Sequence, residues 1–169
     1  MKIVITGFMG CGKTRIARQL AERLSLPMID LDEQITLTHE RSPAELIKQD
    51  GEAAFRAIES QALRSVLKNT ANAVIALGGG AWIQRKNRAL ISEYSCLTVW
   101  LDAPFQLCWS RIEASNDDRP LAKTKAQARE LYNRRRSIYK LAKIHVEVPV
   151  NMEQLISRIQ RKFAADERG

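Results

Sequence analysis

Short apolar runs alternate along the chain with longer stretches in which apolar positions return every three or four residues. Lys2-Ile3-Val4-Ile5-Thr6 is β-branched and almost wholly apolar, the composition of a strand buried on both faces. After it, Ile16, Leu20 and Leu24 recur at helical spacing and predict a helix up to about Leu24. Pro27 to Asp30 reads as a second strand. Residues 33–69 show helical periodicity in several pieces, interrupted near Ser42-Pro43 and at Gly51. Ala73 to Leu77 is a short apolar strand that runs into Gly78-Gly79-Gly80. The pattern next predicts a helix around 84–92, a strand over Leu97–Leu101 and a helix from Pro104 to about Ile112. A polar loop over 114–122 leads to a long helix over about 124–142, a strand over 144–148 and a closing helix over 152–164. Five strands separated by helices predict an α/β fold, a three-layer sandwich whose five-stranded parallel sheet is covered on both faces. Ligands of such sheets bind beyond the carboxyl ends of the strands.

With 169 residues the chain suits one domain with a core of its own. Its 27 Lys and Arg against 19 Asp and Glu leave a net charge of +8, which points to an anionic ligand or partner. The basic residues are scattered, with clusters only at Arg134-Arg135-Arg136 and from Arg158 to Lys162, and no aromatic-interleaved stripe accompanies them. Small anionic ligands therefore fit better than nucleic acid. No stretch approaches the ~18 apolar residues of a membrane span. The first residues pass straight into the predicted strand without a signal-peptide layout, so a cytoplasmic protein is expected. Cys11, Cys96 and Cys108 contain no C-x-x-C pair, which suits a reducing compartment and argues against zinc. His39 and His145 are too few and too far apart in sequence to suggest a metal site.

Between the first strand and the first helix lies Gly7-Phe8-Met9-Gly10-Cys11-Gly12-Lys13-Thr14, a match to G-x-x-x-x-G-K-[ST]. Glycines at Gly10 and Gly12 let backbone N–H groups turn inward around a polyphosphate, with Cys11 between them, at the positive end of the following helix. Lys13 reaches the β- and γ-phosphates in such a loop, and the Thr14 hydroxyl is a ligand for Mg²⁺. A nucleoside triphosphate with Mg²⁺ is the expected ligand of such a loop. The electropositive loop can lower the Cys11 thiol pKa and leave it open to alkylation, with the bound nucleotide protecting it; alternatively, the thiol is buried and inert.

Other residues carry chemistry of their own. Asp30 and Asp32 are two apart just past the second strand and share a side of an extended segment. One could reach Mg²⁺ through water while the other deprotonates an acceptor hydroxyl; alternatively, Asp32 caps the next helix. Gly51-Glu52-Ala53-Ala54-Phe55-Arg56-Ala57-Ile58-Glu59 places Arg56 within i,i+4 and i,i+3 reach of Glu52 and Glu59. That pattern suits surface ion pairs as well as an arginine held rigid to grip an anion. Gly78 to Gly80 admit close approach to the backbone, or form a plain turn. Arg119, in the polar loop, could close over a nucleotide or be incidental to that loop, and Arg135 in the next helix could be a second anion clamp.

Taken together these pieces resemble the shikimate kinases, over most of the chain. The resemblance rests on residues 7–14, Asp30-Leu31-Asp32, the 51–59 motif, Gly78-Gly79-Gly80-Ala81, Asn87-Arg88, Arg119-Pro120-Leu121, and Leu131, Arg135 and Tyr139 at intervals of four. It implies a P-loop NTPase fold of the nucleoside monophosphate kinase type, with a substrate-binding insertion about 32–62 and a lid about 112–124. It also implies transfer of the γ-phosphoryl of ATP to the 3-hydroxyl of shikimate, on the way to chorismate. By resemblance Asp32 binds the shikimate hydroxyls and is the base, while Arg56, supported by Glu59, and Arg135 hold the carboxylate. Gly78, Gly79 and Gly80 line the ring, Asp30 reaches Mg²⁺ through water, Arg119 is the lid arginine and Arg111 stacks on adenine. A monomer is expected. The chain departs from the family pattern at Ser137-Ile138, where Pro-Leu is usual, at Glu40, where glycine is common, and at Ala122, where a larger apolar residue is usual. Residues 147–151 match the adenine loop only loosely. Two other readings compete: a kinase for another small polyol acid such as gluconate, and a nucleotide-binding module without turnover.

Overall fold

Ile3, Val4 and Ile5 are completely buried, as a run of β-branched residues with no polar alternation requires, and they place β1 (Lys2–Thr6) in the middle of the molecule. The computed structural model describes residues 1–115 and 120–166. β1 is flanked by β3 (Ala73–Ala76) and β4 (Leu97–Asp102), with Val4 opposite Ile75 on one side and Thr98 on the other. Outside these lie β2 (Met28–Asp30) and β5 (Ile144–Glu147), giving the order β2-β3-β1-β4-β5 with every pairing parallel. Parallel neighbours need long crossovers, which the helices supply on both sides of the sheet.

Helix α1 (Lys13–Leu24) buries Ile16, Ala17, Leu20 and Ala21, the face its periodicity predicted. Between β2 and β3 come α2 (Leu31–His39), α3 (Pro43–Asp50) and α4 (Glu52–Asn69). Ser42 and Glu45 form a reciprocal capping box with Pro43 in the first turn, so the predicted break at Ser42-Pro43 is a helix start. Gly51, at φ +89°, ends α3 and opens α4 in a single residue. A single 3₁₀ turn, Ala81–Ile83, follows the three glycines, and α5 (Arg85–Glu93), α6 (Phe105–Ala114), α7 (Lys125–Tyr139) and α8 (Met152–Asp166) complete the fold.

Two expectations are corrected. The helix predicted from residue 33 begins at Leu31, and Asp30, not Asp32, is its cap: the Asp30 carboxylate accepts from the backbone N–H groups of Asp32 (3.0 Å) and Glu33 (3.3 Å). The extended backbone stops at Asp30, so the two aspartates do not share one side of a strand. Helix α7 is shorter than 124–142. Past Tyr139 the hydrogen bonds tighten to i→i−3, from Leu141 to Ile138 and from Ala142 to Tyr139, and the chain turns into β5.

The strand order fixes where a site can form. From β1 the chain travels outward to β2, and from β3 it crosses back over β1 to β4, so the segments leaving β1 and β3 diverge at adjacent positions. Those segments are the phosphate-loop motif and the triple glycine.

Candidate active site

The backbone of the phosphate loop turns where the sequence has glycine. Gly10 has φ +76° and Gly12 φ +97°, conformations that side chains with a Cβ rarely adopt. Cys11 N–H bonds to the Phe8 carbonyl, and Gly12 opens α1 without a side-chain cap. The N-terminal amides of α1 thus meet a loop that curls over them, a suitable cradle for phosphate oxygens. Lys13 Nζ donates to the carbonyls of Gly7 (3.1 Å) and Phe8 (3.0 Å), along the inside of the curl. Arg111, from α6, donates to the Gly10 carbonyl at 3.1 Å, so a guanidinium lies against the loop. Of the two readings of Cys11, the buried thiol is the one that fits the structure. Its side chain is buried (2% exposed), and that burial pushes the thiol pKa up against the opposing pull of Lys13 and Arg111.

Thr14 Oγ1 donates to Asp30 Oδ2 at 2.7 Å, while the other oxygen of Asp30 caps α2. One hydroxyl and one carboxylate, side by side at a helix N-terminus, are a hard-oxygen pair that fits Mg²⁺ carrying water and phosphate. Among the described residues no group of three or more His, Cys, Asp or Glu could hold a metal by itself.

Next to the loop is a cleft in which Asp32, Arg56 and Arg135 face the three glycines. It holds about 100 Å³ of water-accessible space, several times the ~10–15 Å³ that a single water needs. Met9, Ile47, Phe55 and Leu121 form apolar parts of its wall. At Gly78 and Gly80 other side chains fill the space a Cβ would need. A Cβ on Gly78 would lie 2.7 Å from Asp32 Oδ1, one on Gly80 would collide with the Arg56 guanidinium, and one on Gly79 would lie 3.8 Å from Arg135 Nη1.

Arg56 is held from below. Its Nη1 donates to both oxygens of Glu59, at 3.0 and 2.9 Å, and its Nε and Nη2 donate to Glu52 at 3.3 and 3.2 Å. Glu59 is only 1% exposed and Arg56 8%, so the solvated surface pair is excluded for Arg56–Glu59, while Glu52, about half exposed, meets Arg56 from the surface side. Burial raises the Glu59 pKa to about 6, more than the neighbouring Arg56 and Arg135 lower it, and Asp32 adds to the rise. Arg135 is buried as well (7% exposed), and four residues on Tyr139 donates its hydroxyl to the Gly79 carbonyl at 2.6 Å. From the other side Trp82 Nε1 donates to the Ile138 carbonyl, at 2.9 Å. Two hydrogen bonds therefore join the glycine loop to α7.

A sequence profile described as shikimate kinase matches residues 9–164. The chain belongs to the shikimate kinase family. It is accordingly an enzyme, a kinase. The shikimate kinase of Ruegeria pomeroyi is 37% identical over 162 residues, which cover 93% of this chain and 82% of that one. Among solved structures, shikimate kinase from Acinetobacter baumannii in complex with shikimate superposes with a TM-score of 0.84 at 28% identity, over 98% of this chain and 93% of the other. The Bacteroides thetaiotaomicron shikimate kinase gives 0.81 at 26% identity, over 97% and 98%.

Against that family frame, Gly10, Cys11, Gly12, Lys13, Thr14, Asp30 and Arg111 gather at the phosphate loop, while Asp32, Arg56, Gly78, Gly79, Gly80 and Arg135 gather in the cleft. Arg119 lies outside the described residues. The adjoining Pro120 and Leu121 line the cleft. Sequence reasoning gave no task to Asn87 and Arg88, quoted above only as part of a shikimate kinase pattern. Asn87 Nδ2 donates to the Ala81 carbonyl (2.9 Å), and Arg88 Nη1 to those of Trp82 (2.7 Å) and Ile83 (2.8 Å), pinning the turn after the glycines. Ile47 lines the cleft with no local signal in the sequence to set it apart from a core residue, and Met9 lines it from within the phosphate-loop motif.

Proposed function

We propose that this chain transfers the γ-phosphoryl group of ATP to the 3-hydroxyl of shikimate, releasing shikimate 3-phosphate and ADP. The observation that carries the reading is the pair of buried guanidiniums, Arg56 and Arg135, facing Asp32 and three glycines in one cleft beside the phosphate loop. Shikimate offers one carboxylate for the two forks and ring hydroxyls for one aspartate. In this reading Arg56 and Arg135 grip the carboxylate, Glu59 keeps Arg56 aimed, and the glycines let the ring lie against the backbone. Asp32 accepts the 3-hydroxyl proton as that oxygen bonds to the γ-phosphorus and the bond to the bridging oxygen of ADP breaks. Lys13 and the loop amides hold the β- and γ-phosphates, Arg111 packs on the adenine side, and Arg119 supports the transferring group. Thr14, and Asp30 through water, would hold Mg²⁺ with the nucleotide, and the ion would supply charge to neutralise the phosphates. Catalysis is positioning and charge stabilisation, with no covalent enzyme intermediate.

The chain is proposed to act as a monomer, organised as a single domain with an insertion about 32–62 and a lid about 112–124. No described helix is long and apolar enough to cross a membrane, and the three cysteines are free thiols, which suits a cytoplasmic enzyme. ADP release from Mg-ATP, measured with shikimate, with gluconate and with neither, is the direct test. Turnover that depends on shikimate is expected. Turnover with gluconate alone, or nucleotide binding with no turnover on either acid, overturns the assignment.

A further inference from the structure

On the face of α7 turned away from the cleft, Arg136 makes a contact that the reaction itself does not use. Its Nη2 lies 2.7 Å from Asp102 Oδ2, and His145 Nε2 reaches the same oxygen at 3.0 Å. Asp102 is the last residue of β4, and its side chain is only 10% exposed. Its backbone carbonyl accepts from Val148 N–H, so the residue is tied to the chain leaving β5. Trp100 lies in the same cluster: its ring stacks on His145 at 4.3 Å, and the Arg136 guanidinium sits 5.8 Å from its centre.

Successive residues on a helix are turned by about 100°, so Arg135 and Arg136 project from different sides of α7. One enters the cleft; the other meets the end of the sheet. The rotation that satisfies Arg136 on Asp102 is therefore the rotation that aims Arg135. It also sets Tyr139, whose hydroxyl holds the Gly79 carbonyl.

We infer that the Arg136–Asp102 ion pair is a latch that positions α7, so that Arg136 and Asp102 are positioning residues for acid binding through Arg135. The inference rests on the proposed role of Arg135 as a carboxylate clamp. Arg136 and His145 are about half exposed (46% and 47%), but the Asp102 carboxylate they meet is only 10% exposed, so losing Arg136 leaves an enclosed carboxylate with His145 as its partner at that oxygen among the described residues.

The test compares Arg136→Met, which keeps the apolar stem, with Arg136→Lys and Arg135→Ala, measuring KM for shikimate, KM for ATP and kcat. Arg136→Met is expected to raise the shikimate KM about five- to twentyfold, the scale of a lost charge-assisted contact, and to leave the ATP KM within about twofold. Arg136→Lys, which keeps the charge, should recover part of the loss. The normal ATP KM serves as the check on folding. An unchanged shikimate KM in Arg136→Met beside an impaired Arg135→Ala overturns the latch alone, as does a parallel rise in both KM values. An unchanged shikimate KM in Arg135→Ala overturns the clamp and the latch with it.

Discussion

Glu59 shows how one buried carboxylate ties pH to binding. Its folded pKa of about 6 stands above the ordinary 4.5, because burial outweighs the pull of Arg56. A raised carboxyl pKa means that the folded state holds the proton more tightly than the unfolded chain. This group's contribution to stability is therefore complete below about pH 4.5 and is lost as pH rises through 6, a change of about 2 kcal/mol. Binding has the opposite preference, since the ionised carboxylate is what holds Arg56 with two hydrogen bonds. The shikimate KM is expected to rise as pH falls through 6, roughly threefold to tenfold, and a Glu59→Gln enzyme should lose that inflection. A profile that is flat in the parent enzyme contradicts the coupling. Cys11 shows the limit of residue type as a guide: an electropositive loop lowers a thiol pKa only while the sulfur stays near water. Because it is buried beside Lys13 with its pKa raised, alkylation in the native enzyme should be slow and should become fast on unfolding. Rapid native labelling would refute this placement.

At the scale of elements, the departure at Glu40 now has a physical meaning. It is the C-cap of α2 with φ +54°, in the left-handed region where a Cβ is strained and glycine is favoured. Its side chain is exposed, so replacing it costs no core contact. Glu40→Gly should stabilise the fold by about 0.5–1 kcal/mol, raising Tm by roughly 1–4 °C. A lower Tm would show that the side chain contributes more than its backbone conformation costs. The glycine triplet carries the complementary lesson. From sequence alone it was as good a plain turn as a ligand platform. In the fold Asp32 from α2 and Arg56 from α4 occupy the space a Cβ would take at Gly78 and Gly80, and Arg135 from α7 lies in van der Waals range of Gly79, which suits the platform better than the plain turn. The motifs marked each element, but none of them states which neighbours an element will meet.

At the scale of the whole molecule, the proposed function has two ligands share one end of the sheet but lean on different parts of it. In that proposal ATP rests on the segment after β1, and shikimate on α2, α4, α7 and the segment after β3. Saturating either at about 100 times its Kd should stabilise the fold by ~2.7 kcal/mol, a Tm rise of roughly 5–11 °C. Arg135→Ala should abolish most of the shikimate-induced rise while the ATP-induced rise persists. Loss of both shifts together would contradict separate subsites. What the sequence determined by itself was local and periodic: the five strands, their helices, the phosphate loop and the Arg56–Glu59 spacing, all written in residues a few positions apart. What only the tertiary structure decided was proximity across long separations. These were the order β2-β3-β1-β4-β5, the burial that turns a cheap i,i+3 pair into a rigid clamp, the shielding of Cys11 and the meeting of Arg136 with Asp102. The reason is physical. Hydrogen-bond spacing and side-chain periodicity act over a turn or a strand, whereas desolvation and charge pairing depend on which distant segments pack together.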